Sequence, residues 1–300
     1  VDPKQAGSVK FTLNYENGTH RYRPKISYDG QTWETLPNTE TPRPRPDAFS
    51  FDVKLDERPL YVSAQEIFTA KAHDAWTDKI AEKPFITQSI IGTSKNGYPL
   101  KMLEVKTQPN IKKPYVVWVG RQHPPEVTGA LALMPFSETV LNDSKLSKKF
   151  LDHFNVLIVP MMNPDGVEGG YWRFSDGGMD LNRDWGPFTQ PETKLMQGLL
   201  EGIEKSPTQQ LKFLADFHST NRGKASVTID FRTDSGVAQL KELLALVSNE
   251  VEWKLVKARD EDGHSLATAP VQRQIQAEAL GSEVQSLMGQ NLSVYFQRRR

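Results

Sequence analysis

Residues 115–129 read YVVWVGRQHPPEVTG, and this stretch predicts the centre of the fold. YVVWVG is a short and almost wholly apolar run, typical of a strand that is covered on both faces of a sheet. The residues from Glu126 to Leu141 suit a helix, and proline is tolerated at a helix start because its missing N–H would have no partner there. If the stretch after Pro124 and Pro125 is the first turn of this helix, the side chains of His123 and Glu126 converge on one side.

The same alternation of apolar strand and helix recurs along the chain. FNVLIVP and LKFLADF read as further buried strands, and residues 86–105 as a hairpin around Asn96-Gly97. Residues 190–204 and 236–251 have helical patterns. Strands alternating with helices predict an α/β fold with a mixed, mainly parallel sheet flanked by helices, and with ligands bound beyond the strand ends.

The first sixty-two residues have a different pattern. VKFTLNY and RYRPKISY alternate apolar and polar residues on either side of Asn17-Gly18, and Asp29-Gly30 marks a second turn. We expect a small antiparallel β module over residues 1–62 and the larger domain over residues 63–300. Ser63 is the predicted cap of the first helix of that domain, with Glu66 as its capping-box partner.

Composition excludes several classes of protein. Among 300 residues, Lys plus Arg and Asp plus Glu both number 37, so there is no basic field for nucleic acid. No run of eighteen apolar residues exists, so no membrane-spanning helix is expected. The absence of cysteine excludes disulfides and thiolate ligands, and any metal site must use nitrogen and oxygen.

Three residues have the types and spacing of a catalytic zinc site. His123 and Glu126 stand close together, and His218 follows the predicted strand LKFLADF far downstream. Zinc binds imidazole nitrogen and carboxylate oxygen, and a catalytic site has three protein ligands and an open fourth position for water. The alternative is that these are three unrelated polar residues, because short motifs match by chance.

Residues 163–185, NPDGVEGGYWRFSDGGMDLNRDW, carry a family resemblance. The order HxxE, NPDG, Arg, Asn-Arg and a strand ending in His-Ser resembles that of the carboxypeptidase A-like zinc metallopeptidases. The HPPE form looks closest to the branch of cytosolic carboxypeptidases and related bacterial proteins. The resemblance covers roughly residues 61–286 and implies a zinc carboxypeptidase-like fold with one Zn²⁺ per chain, held by His123, Glu126 and His218.

The resemblance also implies roles for residues around the metal. Arg173 matches the family position that stabilises the oxyanion of the tetrahedral intermediate. Asn182 and Arg183 match the pair that holds the terminal carboxylate of the substrate, a role that suits the planar guanidinium. For both arginines the alternative is a structural ion pair with one of three nearby acids, namely Asp165, Asp180 or Asp184.

The general base is the least defined residue of the site. The family has a late Glu at the end of a strand, and Glu283 matches it through the sequence GSEV. If Gly281 instead begins that strand, the catalytic position falls at Met288 and the base is missing. Glu278 is a third and poorer match.

The sequence therefore predicts a zinc-dependent metallocarboxypeptidase that hydrolyses a C-terminal peptide or amide bond. The substrate would be a peptide or small amide with a free carboxylate. Two alternatives stay open, an amidohydrolase of small N-acyl amino acids and a catalytically silent zinc-binding or peptide-binding domain that lacks the general base. Oligomeric state and compartment are not defined. The start at Val1 suits either a removed signal peptide or a trimmed chain, and by resemblance we expect an exported, periplasmic or secreted, protein.

Overall fold

The computed structural model describes residues 6–16, 18–20, 22–37, 39, 44–206, 209–219, 226–229, 255–257 and 292–296. The chain divides into two compact units, residues 1–68 and 69–300. The division falls six residues after the boundary expected from sequence, because the strand Tyr61–Ser63 pairs with Lys25–Ser27 of the first unit.

The first unit contains two small antiparallel sheets, as the predicted β module requires. One sheet joins β1 (Gly7–Asn14) to β4 (Ala48–Leu55), and the other has the order β3 (Glu34–Thr35), β2 (Lys25–Ser27), β5 (Tyr61–Ser63).

The two segments on either side of Asn17-Gly18 do not pair with each other, because β1 pairs with β4 and β2 lies in the other sheet. Apolar side chains explain the pairing, since the rings of Phe11 on β1 and Phe51 on β4 stack with centroids 5.6 Å apart. The predicted turn at Asp29-Gly30 is confirmed between β2 and β3, where Asp29 Oδ1 accepts bonds from the amides of Gln31 and Thr32.

The second unit contains one eight-stranded mixed sheet with helices around it. Its helices are α1 (Ala70–Ala81), α2 (Val127–Val140), α3 (Lys145–His153), α4 (Pro164–Glu168) and α5 (Pro191–Glu204), with a 3-10 turn at Leu181–Arg183. Its strands are β6 (Ile86–Thr93), β7 (Pro99–Val105), β8 (Tyr115–Gly120), β9 (Asn155–Val159), β10 (Leu211–Ser219), β11 (Ser226–Ile229), β12 (Leu255–Lys257) and β13 (Leu292–Phe296).

The strand order is β12-β11-β13-β10-β8-β9-β7-β6. The four central strands, β13, β10, β8 and β9, all run parallel to one another. The antiparallel β6-β7 hairpin closes one edge. This arrangement confirms the predicted α/β class with a mixed, mainly parallel sheet.

The central strands are buried on both faces, as their apolar sequences predict. Along β8, Val116 and Trp118 pack into a core with α1, α2 and α3, whereas Val117 and Val119 pack into a second core with α5. All six residues of β8 are buried. The sheet therefore forms the middle layer between two sets of helices and holds the strand ends in fixed positions.

The predicted start of the first helix is wrong, whereas that of the helix after the proline pair is met to within one residue. Helix α1 is capped by Thr69, whose hydroxyl accepts from the amide of Ala72, while Ser63 belongs to β5. Helix α2 begins at Val127, and Pro124 and Pro125 form a separate turn closed by a 3.1 Å bond from the Glu126 amide to the His123 carbonyl. The residue before a proline avoids the helical region, so a proline pair favours such a turn.

The remaining predicted strands are confirmed, and one predicted helix lies outside the described residues. The hairpin of residues 86–105 and the strands at 154–160 and 211–217 are present. The predicted helix at 236–251 lies outside the described residues. In the described part of the chain, no helix has the length and apolar character needed to cross a membrane.

Candidate metal centre

The three predicted ligands meet at the carboxyl ends of two neighbouring strands. Strands β8 and β10 are parallel, with Phe217 in register with Gly120, so the chain after β8 and the end of β10 emerge side by side. His123 follows β8 in the proline turn, Glu126 directly precedes α2, and His218 is the penultimate residue of β10. This is the edge of the sheet at which the α/β architecture predicts a ligand.

The ligand atoms are close enough to share one ion. One ligand atom from each of His123, Glu126 and His218 lies within 4.8 Å of the other two. His123 Nδ1 is 2.9 Å from one carboxylate oxygen of Glu126, and His218 Nδ1 is 2.7 Å from the other. Both imidazoles are buried, whereas Glu126 is partly exposed. The predicted metal ligands are therefore brought together.

The outer nitrogen of each imidazole contacts a second carboxylate. His123 Nε2 lies 2.9 Å from Asp180, and His218 Nε2 lies 2.5 Å from Asp216. If each ring donates its Nε2 proton outward, each neutral ring has its Nδ1 lone pair directed at the site. Two lone pairs and a carboxylate form the nitrogen and oxygen set that zinc prefers, so the residues fit a zinc ion.

The acidic groups around the two imidazoles favour positive charge in the site. Burial opposes protonation of His123, but its bonds to Asp180 and Glu126 outweigh burial and raise its pKa. Burial also opposes protonation of His218, and the charge of Asp216 outweighs it and raises that pKa well above its usual range. Burial would raise the pKa of Glu126, yet bonds from both imidazoles hold it far below its ordinary value. A divalent cation would supply the charge that these groups stabilise.

Sequence reasoning did not identify Asp216, and treated Asp180 only as a possible ion-pair partner. The position of each residue in the sequence could have indicated its role. Asp180 directly precedes the 3-10 turn at Leu181–Arg183, and Asp216 lies two residues before His218, on the same face of the strand. Burial would raise the pKa of Asp180, but the bond from His123 and the charge of Arg173 lower it to about 2.

Arg173 lies beside the metal ligands. Its Nε donates a 2.7 Å bond to Asp180 Oδ2, and its side chain is 40% exposed. The ion pair with Asp180 that was left open as an alternative is therefore present, and it ties the guanidinium to the carboxylate that orients His123. The oxyanion role of Arg173 stays a prediction.

The Asn-Arg pair has two different environments. The amide group of Asn182 lies 3.3 Å from His218 Nε2, and its backbone N–H donates to Asp180. Arg183 is exposed and donates through a terminal nitrogen to the carbonyl of Asn182 at 3.2 Å. Asn182 thus contacts the metal site, while Arg183 is placed on the accessible side of the same turn.

The three positions weighed for the general base, Glu283, Met288 and Glu278, lie outside the described residues. The strand that runs parallel to β10 beside the site is β13, with Tyr295 in register with His218. Its described residues, LSVYF, include no acidic side chain. The assignment of Glu283 therefore stays a prediction.

A buried arginine supports the turn that presents His123. Arg121 adopts φ 53°, donates from Nε to the Pro124 carbonyl at 2.8 Å, and lies 3.4 Å from a ring nitrogen of buried His73. Burial lowers the pKa of Arg121 to about 10, against the influence of Glu126. A non-glycine residue at positive φ is uncommon and costs conformational energy, which these bonds offset.

Comparison with known proteins agrees with this geometry. Residues 73–239 match the zinc carboxypeptidase family, Peptidase_M14. Because the match covers more than half of the chain, the protein belongs to the zinc carboxypeptidase family, which confirms the resemblance drawn from the motifs.

Individual members of the family are similar to parts of this chain. It is 25% identical over 181 residues to mouse cytosolic carboxypeptidase 6, which covers 57% of this chain and 33% of that protein. It is 31% identical over 115 residues to mouse cytosolic carboxypeptidase 1, covering 37% of this chain and 9% of that protein. The match thus spans about a third or less of these curated relatives.

Two bacterial structures share the fold. A metallo-carboxypeptidase from Burkholderia cenocepacia aligns with a TM-score of 0.74 at 20% identity, covering 99% of this chain and 79% of that chain. A metallo-carboxypeptidase from Pseudomonas aeruginosa, in complex with (2-guanidinoethylmercapto)succinic acid, aligns with a TM-score of 0.68 at 17% identity, covering 98% and 81%. At these identities the likeness establishes the fold.

Proposed function

We propose that this protein is a zinc-dependent metallocarboxypeptidase that releases the C-terminal residue of a peptide, or cleaves a side-chain amide next to a free carboxylate. The observation that carries the proposal is the convergence of His123, Glu126 and His218 within 4.8 Å of one another. Membership of the zinc carboxypeptidase family supports it.

The reaction chemistry divides between the metal and the protein. A bound zinc ion would polarise the scissile carbonyl and lower the pKa of a water molecule. Arg173 would stabilise negative charge on the carbonyl oxygen, a contribution of roughly 3 kcal/mol in comparable oxyanion sites. Its bond to Asp180 orients the guanidinium before the substrate binds.

The substrate carboxylate would be held by the Asn-Arg turn. Arg183 is exposed, and a guanidinium can bind a carboxylate through two parallel hydrogen bonds. Asn182 lies beside His218, so a carboxylate held by this pair would be next to the metal ligands. Glu283 is our proposed general base, which would take a proton from the attacking water and deliver it to the leaving amine.

The direct test combines metal analysis with a release assay. Purified protein should contain one zinc per chain and release C-terminal residues from a peptide panel in a chelator-sensitive manner. Arg183→Ala should raise KM for peptides with a free carboxylate and leave C-terminally amidated peptides unaffected. Exposed Arg58→Ala, in the first unit, is the matched control and should leave KM unchanged.

The general base is tested separately. Glu283→Gln should abolish release and preserve zinc content. Zinc at one per chain with no release from any peptide would contradict the enzyme proposal and favour a silent zinc-binding domain. Release that persists in Glu283→Gln would remove Glu283 from the mechanism. Export of the protein stays a prediction.

A further inference from the structure

A line of buried hydrogen bonds runs behind His218 and is made by residues that do not bind the metal. Trp185 Nε1 lies 2.8 Å from Gln122 Oε1, and Gln122 Nε2 lies 2.5 Å from Asp216 Oδ2. The same oxygen of Asp216 lies 2.5 Å from His218 Nε2. These four side chains belong to residues that are between 1% and 6% exposed, so water does not compete for these bonds.

Trp185 at one end and the carboxylate of Asp216 at the other set the direction of every bond in this line. The indole N–H of Trp185 can only donate, so the amide oxygen of Gln122 must face it. The amide nitrogen of Gln122 must then face Asp216, and it donates to the carboxylate. Asp216 Oδ2 accepts from Gln122 and also from an N–H on His218 Nε2, so Nε2 has no lone pair with which to accept from the Asn182 amide 3.3 Å away.

We infer that Gln122 and Asp216, with Trp185 behind them, are positioning residues that fix the tautomer and ring orientation of the metal ligand His218. With the proton on Nε2, a neutral ring has its lone pair on Nδ1, the atom that faces Glu126. A histidine free to exchange tautomers would present that lone pair only part of the time. The network therefore increases metal affinity without touching the metal.

Gln122 also connects the two halves of the site. It precedes the ligand His123 in the chain, and its side chain binds the acid that orients His218 on the neighbouring strand. Its backbone carbonyl accepts a 3.0 Å bond from Asn163. Any shift of the turn after β8 relative to the end of β10 must therefore stretch the Gln122 side-chain bond.

The unused oxygen of Asp216 makes a specific prediction possible. Asp216 Oδ1 is buried and has no hydrogen-bond partner among the described residues, so both contacts fall on Oδ2. Asp216→Asn can retain an oxygen at that position and accept both bonds, whereas Asp216→Leu cannot. We expect zinc affinity to follow the order parent, Asn, Leu.

The experiment measures zinc dissociation constants by competition with a chelator, together with the visible spectrum of the cobalt-substituted protein. Gln122→Met should raise Kd by about 10- to 100-fold and alter the cobalt spectrum, the usual effect of removing groups that orient a metal ligand. Trp185→Phe, which retains the ring and loses the N–H, should raise Kd in the same direction by less. The double variant should bind zinc with the same Kd as Gln122→Met alone, because in this inference Trp185 acts through Gln122.

The matched control is Ser137→Ala, which removes a buried 2.7 Å bond to the Leu133 carbonyl away from the metal ligands. It should lower the melting temperature of the metal-free protein and leave Kd and the cobalt spectrum unchanged. If Gln122→Met does not fold, Trp185→Phe and Asp216→Asn decide the question. The inference would be overturned if Gln122→Met had the Kd and cobalt spectrum of the parent. If Gln122→Met does not fold, the same result for Trp185→Phe would overturn it.

This inference depends on metal binding and not on peptidase activity. A parent protein that binds zinc and releases no residue would contradict the proposed function, and the positioning role could still be measured. A parent protein that binds no zinc would overturn both.

Discussion

His218 is the most enclosed of the three metal ligands, and its contacts show how tightly each ligand is specified. It is 1% exposed, with Glu126 on one ring nitrogen and Asp216 on the other. His123 has the equivalent arrangement between Glu126 and Asp180. Removing any ligand leaves two donors and several buried acids whose charge the ion no longer balances.

We therefore expect His123→Ala, Glu126→Ala and His218→Ala each to weaken zinc binding by more than about 100-fold, a larger loss than for residues that only orient a ligand. Elemental analysis after dialysis is the measurement. His153→Ala is the matched control, because His153 is exposed and its ring hydrogen-bonds the carbonyl of Lys149 in its own helix. Full zinc occupancy in any of the three ligand variants would contradict the site.

Glu192, in the first turn of α5, gives a pH-dependent prediction. The residue is 1% exposed, and burial together with the negative charges of Asp165 and Asp184 raises its pKa. The folded state thus binds this proton more tightly than the unfolded state does. Its contribution is fully present below the ordinary Glu pKa and is lost as pH rises through the raised value.

Glu192→Gln should remove that loss, because the amide has nearly the same shape and does not ionise. The variant should melt at a higher temperature than the parent at pH 8 and at a similar temperature at pH 4. Thermal melts of the two proteins across this range provide the measurement. An equal difference in melting temperature at both pH values would show that Glu192 does not titrate as proposed.

At the scale of elements, helix α2 packs directly on the end of β10. The amide of Gly129 donates to the Ser219 hydroxyl at 2.9 Å, and a Cβ built on Gly129 would lie 2.8 Å from the His218 carbonyl carbon. Backbone cannot move aside as a flexible side chain can. Glycine at this position therefore permits the close approach of the helix and the metal-bearing strand.

Two glycine substitutions in helices should consequently have opposite effects. Gly198→Ala, in α5, meets nothing within 4 Å and should stabilise the protein by about 1 kcal/mol through helix propensity. Gly129→Ala should destabilise the protein despite the same propensity gain, and should raise the zinc Kd. Denaturant unfolding and chelator competition measure the two effects, and a stabilised Gly129→Ala would refute the close packing.

Features of this chain that depend on local chemistry were predictable from the sequence, whereas features that depend on contacts between distant residues were not. Buried strands such as YVVWVG were predictable because their apolar runs have no other stable placement, and the three ligands followed from their chemistry. The pairing of β1 with β4 was not, because Phe11 meets Phe51 across forty residues and the nearby Asn17-Gly18 gave a competing local signal. Asp216 was missed because its role arises only when the segments after β8 and within β10 come together.

At the scale of the whole molecule, metal binding should be linked to the stability of the unit formed by residues 69–300. The ligands come from distant parts of this unit, so the unfolded chain cannot present the same site. Free zinc at about 1,000 times Kd should add about 4 kcal/mol to the free energy of unfolding.

The measurement is a thermal melt with zinc, with chelator, and with zinc restored. The melting temperature should fall with chelator and recover with zinc in the parent. His218→Ala, as the control, should show no response to either. A parent that melts identically in all three conditions would contradict the linkage.

The separation of the ligands along the chain has a consequence for refolding. Glu126 and His218 stand 92 positions apart and become neighbours only when β8 and β10 have paired in the correct register. A cobalt absorption band would therefore develop late during renaturation, after this pairing is complete. The complete three-ligand site would thus report finished assembly of this part of the sheet.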